Sequence, residues 1–247
     1  MSGSRNRRII GYSIGALVAL GVVAVAAYFF FFGSAPDEVS LGSAVESAQQ
    51  AADASQPAAT PDGIAGTWVV DTSVGDFSFE DSTASFVGFR IQEQLVGVGA
   101  TTAVGRTPTI DGTLTIAGTT VTGATITADM TDIVTNNSKR NGRVQEALST
   151  SDFPIATFTL TQPFDIGSEP ADGDQFSVTA VGDLTIAGVT NQVEVPLEAQ
   201  VVGDLVVVVG SVDIDFTDWN VSVPSAPVVV SAENQGPIEM QLYFTRG

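Results

Sequence analysis

Phe176-Ser177-Val178-Thr179-Ala180-Val181-Gly182-Asp183-Leu184-Thr185-Ile186, continued after Ala187-Gly188 by Val189 to Val201, is the stretch that decides the fold. Successive side chains of a strand point to opposite faces, so residues two apart share one. Phe176, Val178, Ala180, Gly182, Leu184 and Ile186 fall on one face, and Ser177, Thr179, Asp183 and Thr185 on the other. Beyond the break, Val193, Val195, Leu197, Ala199 and Val201 alternate with Gln192, Glu194, Glu198 and Gln200. Two half-buried strands follow.

The pattern extends outward on both sides. Ile110, Gly112, Leu114 and Ile116 oppose Thr109, Asp111, Thr113 and Thr115, and Ala156, Phe158 and Leu160 oppose Thr157, Thr159 and Thr161. Val206, Val208, Val212, Ile214 and Phe216 oppose Ser211, Asp213 and Asp215, with Gly203-Asp204 as the hairpin turn before them. Ile238, Met240, Leu242 and Phe244 make a last strand, whose open edge a closed barrel would remove. Leu-Thr-Ile-Ala-Gly occurs twice, at Leu114 to Gly118 and Leu184 to Gly188, and reads as two similar hairpins. One helix interrupts the strands: Asn137 to Leu148 has an Asn/Ser cap and places Val144 and Leu148 at i,i+4. A single all-β barrel or sandwich domain is expected over residues 64–247.

What precedes it is of another kind. Ile9 to Phe32 is a run of 24 residues without a charged side chain, about 36 Å long as a helix against a hydrocarbon core of about 30 Å. Arg5, Arg7 and Arg8 flank one end, and Asp37, Glu38 and Glu46 the other. A cytoplasmic tail (1–8), a transmembrane helix (9–32) and an extracytoplasmic remainder follow from the bias of positive charge to the inside. A cleaved signal peptide is the competing reading, with Gly33-Ser34-Ala35 as a weak site ahead of an unfavourable Pro36. Residues 33–63, rich in Ala, Ser, Gln, Asp and Pro, read as a flexible linker with no more than a transient helix over Val39 to Ala54.

Charge and composition exclude several functions. Beyond Arg8 the chain holds six basic residues against 28 acidic ones, and such a surface repels phosphate backbones, so no nucleic acid is expected as a partner. There is no Cys and no His, which removes disulfides, thiolate chemistry, the commonest metal ligand and the usual general base near neutral pH. Lys139 is the only lysine, and no glycine-rich phosphate loop is present. Asp213, Asp215 and Asp218 read as a solvated strand face rather than a calcium site, since no glycine-bearing calcium loop accompanies them. No catalytic residue, metal ligand or resident cofactor is assigned.

Several separated motifs carry a family resemblance. They are Thr67-Trp68-Val69-Val70-Asp71, Ser85-Phe86-Val87-Gly88-Phe89-Arg90-Ile91, Lys139-Arg140-Asn141-Gly142-Arg143-Val144 with Leu148, Asp152-Phe153-Pro154-Ile155-Ala156-Thr157-Phe158, and Val181-Gly182-Asp183-Leu184-Thr185-Ile186-Ala187-Gly188-Val189-Thr190. In order and spacing, Ile64 to Gly247 resembles the YceI-like family, lipocalin-like bacterial proteins that bind polyisoprenoids. The resemblance implies an eight-stranded antiparallel barrel with one inserted helix. It also implies a histidine within the Leu-Thr-Ile-His-Gly motif of many members; this chain has Ala187 there, so any headgroup contact through that histidine is lost.

An eight-stranded barrel either fills with side chains or holds one small ligand. The inward positions Gly112, Ala124, Ala128, Ala156, Ala180, Gly182, Ala199 and Gly210 are small, which favours a cavity. Val87, Phe89, Ile91, Leu114, Phe158, Ala180, Leu184, Ile186, Val212, Ile214 and Phe216 are its expected apolar lining, suited to a long lipid such as a polyisoprenoid or isoprenoid quinone. Lys139, Arg140 and Arg143 are candidates to hold an anionic headgroup, or simply solvate a surface helix, where Arg143 could pair with Glu146. A ligand-free envelope scaffold or adhesion domain with a packed barrel is the alternative, and association into a homodimer stays open.

Overall fold

Alternating side chains need two environments, and a sheet that curls until its first and last strands meet supplies them. In this computed structural model, which describes residues 35–54, 63–224, 227 and 229–247, the sheet does so. Helix α1 (Leu41–Ala54) comes first, followed by strands β1 (Gly66–Val70), β2 (Phe86–Leu95), β3 (Gly99–Thr107), β4 (Ile110–Ala117), β5 (Thr120–Asp129) and β6 (Val134–Thr135). Helix α2 (Ser138–Ala147) leads to β7 (Ile155–Leu160), β8 (Phe164–Asp165), β9 (Gln175–Ile186), β10 (Val189–Val202), β11 (Leu205–Asp215), β12 (Val229–Ala232) and β13 (Gln235–Arg246). Eight strands close on themselves in the order β1-β4-β5-β7-β9-β10-β11-β13, with β13 pairing back to β1 through Trp68↔Arg246 and Val70↔Phe244, and every pairing is antiparallel. The β2–β3 hairpin branches from β13 through Phe89↔Ile238 and runs on past it, paired with β12. The sequence-predicted helix is α2, capped by Asn137, whose side chain accepts from the Lys139 N–H.

The register defines two ends. One carries the β4–β5 and β10–β11 turns and the ends of the chain's first and last strands. Here Arg246 lies over the Trp68 ring, 4.7 Å from its centroid, and the indole donates to the Ile64 carbonyl at 2.9 Å. The other end carries the β9–β10 turn, α2, the start of β13 and the projecting β2–β3 hairpin. In the β9–β10 turn both central residues, Ala187 and Gly188, have positive φ (49° and 77°) between the paired Ile186 and Val189. A left-handed alanine costs roughly 1–2 kcal/mol and asparagine less, so Ala187→Asn is expected to raise stability by about 0.5–1 kcal/mol in urea unfolding.

The expected flexible linker is corrected in its central part: residues 35–54 are a strap packed on the outside of the barrel. Leu41, Ala44, Val45 and Ala48 stand at i, i+3, i+4 and i+7, one helical stripe, and all are buried against Val74, Val202, Leu205, Val207, Val209 and Tyr243. Small residues let α1 lie close to the sheet, so a stripe poor in bulk still excludes water. Residues 55–62 and the expected membrane span 9–32 lie outside the described residues. Among the described residues no helix is long and apolar enough to cross a membrane.

Two polar anchors hold the strap. Tyr243, fully buried, donates its hydroxyl to the Ala44 carbonyl at 3.2 Å, and burial pushes the phenol up to about 12, a contact with Ser47 working the other way. The folded state's phenol therefore stays neutral where the unfolded chain's, at 10.0, has ionised. Its contribution is complete below pH 10 and lost as pH rises toward about 12, and Tyr243→Phe is expected to abolish that decline in pH-dependent unfolding. The second anchor is a buried ion cluster. Arg90 donates through Nε to Glu239 Oε1 at 2.6 Å and through Nη2 to the Pro36 and Asp37 carbonyls. Arg106 donates to the same Asp37 carbonyl at 2.8 Å, to Phe79 O at 3.3 Å, and stacks on Phe86. Burial, with the Arg90 charge, lowers the Arg106 pKa against the pull of Glu239 and Asp37.

Candidate functional site

The inward faces of the barrel strands do not meet in the middle. A cavity of ≈ 180 Å³ runs between them. Its wall reaches from Ile64, Phe164 and Ile166 at one end to Met130, Ile133 and Leu148 at the other. A small volume spread along so long a wall is a narrow channel, which suits an extended hydrocarbon better than a compact ligand. Thr157 is the one wall residue with a polar side chain, and no titratable group lines the cavity.

Of the expected lining, Val87, Phe89, Leu114, Phe158, Ala180, Leu184, Ile186 and Phe216 lie on the wall. Ile91, Val212 and Ile214 do not. They share the inward parity but sit in the apolar cluster where Phe216, Trp219 and Val221 fold over the strand ends, and they are packed there rather than bared to the channel. Trp219 is fixed in that cluster by a hydrogen bond of 2.9 Å to the Leu184 carbonyl. Phe89 meets Phe216 edge to face, centroids 6.3 Å apart.

The small residues divide into two kinds. Ala124, Ala128, Ala156, Ala180 and Ala199 all face the cavity. Gly112, Gly182 and Gly210 do not, because a neighbour's side chain already occupies the place of a Cβ: Ile126 over Gly112, Phe158 over Gly182 and Leu197 over Gly210. The glycines seat large side chains; the alanines leave the room. Sequence parity could not separate the two, since the distinction depends on the diagonal neighbour across the sheet.

None of the three headgroup candidates belongs to the wall. Arg140 is held by Glu93 at 2.5 Å, a carboxylate almost wholly buried, and by Asn136 Oδ1 at 2.7 Å, so it fastens α2 to the β2–β3 hairpin. Lys139 and Arg143 stand on the exposed face of the same helix. Asp215 accepts from both the hydroxyl and the N–H of Thr217, which holds its carboxyl below the usual range and caps the turn Phe216–Trp219. Among the described residues no three Asp or Glu side chains come close enough to hold a metal ion.

The family model of the YceI-like domain matches residues 80–244. Among solved structures the chain is similar to a polyisoprenoid-binding domain from Saccharophagus degradans implicated in plant cell wall breakdown, with 18% identity, 73% of this chain and 98% of that one covered, and a TM-score of 0.55. It is also similar to BcnA of Burkholderia cenocepacia (20% identity, 64% and 95% covered, TM-score 0.49) and to a YceI protein of Campylobacter jejuni (16%, 58% and 84%, 0.48). No curated protein sequence matches. At such identity the first of these likenesses speaks for the fold, a closed lipocalin-like barrel.

Proposed function

Because the chain belongs to the YceI-like domain family, we propose that its barrel binds a long apolar lipid of the polyisoprenoid or isoprenoid-quinone type, as a carrier or storage module. The observation that carries this is the channel: long, narrow and, Thr157 apart, apolar. Each CH₂ moved from water into such a wall gains about 0.8 kcal/mol, and the near absence of polar groups selects against anything but hydrocarbon along its length. The similar Saccharophagus domain is named for polyisoprenoid binding. A ligand-free scaffold would have its alanines covered as its glycines are, and they are bared instead.

The protein acts in this reading as a binding module: Thr157 is the one polar side chain on the wall, and no titratable group stands beside it there to activate its hydroxyl. The wall is complete within one chain, so a homodimer is not needed to form the site. Residues 9–32 anchor the module in the cell membrane, the phase in which such a lipid dissolves, with the barrel on the extracytoplasmic side. The test is extraction of the purified full chain and mass spectrometry of what it holds. One apolar lipid in stoichiometric amount is expected; an empty barrel that also fails to take up a short-chain ubiquinone or geranylgeraniol overturns the reading.

A further inference from the structure

Every large apolar side chain that stands exposed among the described residues, Val96, Val98, Phe153, Ile155 and Val230, falls at one end of the barrel. Val96 and Val98 form the tip of the β2–β3 hairpin, with nothing within 4 Å of where a Cβ on Gly97 or Gly99 would stand. Val230 lies beside them, because β12 pairs with β2 through Val229↔Leu95. Phe153 and Ile155 lie at the entry to β7, next to the β9–β10 turn. The opposite end, with its two hairpin turns, shows no such residue.

One further observation says what meets this end. Helix α2 also lies at this end and presents Lys139 and Arg143 on its exposed face, while Arg140 is held by Glu93. An apolar rim beside the one basic helix among the described residues is the chemistry of an interfacial contact with lipid.

We propose that this rim docks into the surface of the bilayer, with the β2–β3 tip and β12 dipping their valines below the headgroups. The proposal rests on the membrane-anchor reading above. Docking of this kind puts the barrel end nearest Met130, Ile133 and Leu148 against the lipid.

The chain has no native cysteine, so single labels report cleanly. Val96→Cys, Val230→Cys and, at the far turn, Asp204→Cys carry a nitroxide on the full-length chain in vesicles of equimolar phosphatidylcholine and phosphatidylglycerol. Collisions with oxygen, concentrated in lipid, are compared with those of a water-soluble nickel chelate. Oxygen is expected to dominate at residues 96 and 230 and nickel at residue 204. Nickel dominating at all three, in chains that float with the vesicles, overturns the docking and leaves the anchor standing. Chains that do not float overturn the anchor and the docking with it. Spin coupling between labels at Val96 on two copies, with neither quencher reaching them, assigns the rim to a second copy and also overturns the proposal.

Discussion

Glu239→Ala is expected to destabilise the domain by about 3–5 kcal/mol, the range for breaking a buried ion pair from one side. Glu239 is 1% exposed and is the one carboxylate between two guanidiniums that are 6% and 3% exposed. Its Oε1 takes the Arg90 hydrogen bond, and its Oε2, 4.0 Å from Arg106, has no other partner among the described residues. Removing it leaves two positive charges under the strap, facing carbonyl oxygens and the Asp37 carboxylate alone. Domains of this kind are held by about 5–15 kcal/mol in all, so the loss is a large fraction. Denaturant unfolding measures it, and a change below about 1 kcal/mol would show that the cluster is hydrated. Ala44→Asp, which puts a charge under α1 at a fully buried site, should lift the strap and let water reach the arginines. The two substitutions together should then lose less than the sum of their separate effects.

Filling the channel is the corresponding test of function. Ala180 is 2% exposed and faces the cavity midway along β9. Ala180→Trp places an indole, which buries about 150–250 Å² of its own surface, into a space of ≈ 180 Å³. Bound lipid is expected to fall by an order of magnitude or more, since blocking burial of even two CH₂ groups removes about 1.6 kcal/mol. The fold should survive, because the ring enters existing space and displaces little packing, and overpacking costs typically 1–3 kcal/mol. Lipid content equal to that of the parent chain, in a variant with unchanged circular dichroism, would dissociate the cavity from lipid binding.

Much of this architecture is written in period-two alternation. The faces of β4, β7, β9, β10, β11 and β13 follow from counting, as does the two-residue turn at Gly203-Asp204, where Val202 pairs with Leu205. Helix α2 is legible because Asn137 caps it. The strap is not legible from composition, which shows only Ala, Ser and Gln, yet two signals were present. One is the stripe Leu41, Ala44, Val45, Ala48. The other is the unbroken run Leu205-Val206-Val207-Val208-Val209, which a strand with a solvated outer face would not carry and which α1 covers. For the cavity, parity chose the right face but not the depth, so Ile91, Val212 and Ile214 went to the wall although Phe216 and Trp219 close over them. The placement of Arg140 against Glu93 joins residues 47 apart, and nothing local announces it.

The strap's direction has a mechanical consequence. Its first docked residues are gripped by arginine side chains beside the β2–β13 seam and its helix is seated toward the far end, so tension on the chain before residue 35 would act along the strap and load the Pro36 and Asp37 carbonyls together with the α1 stripe. Those contacts and the α1 stripe would slide along the sheet rather than peel from it, so that the load is shared by many groups at once. With the anchor proposed above, a tug from a moving membrane would reach the channel only after the outer belt had let go.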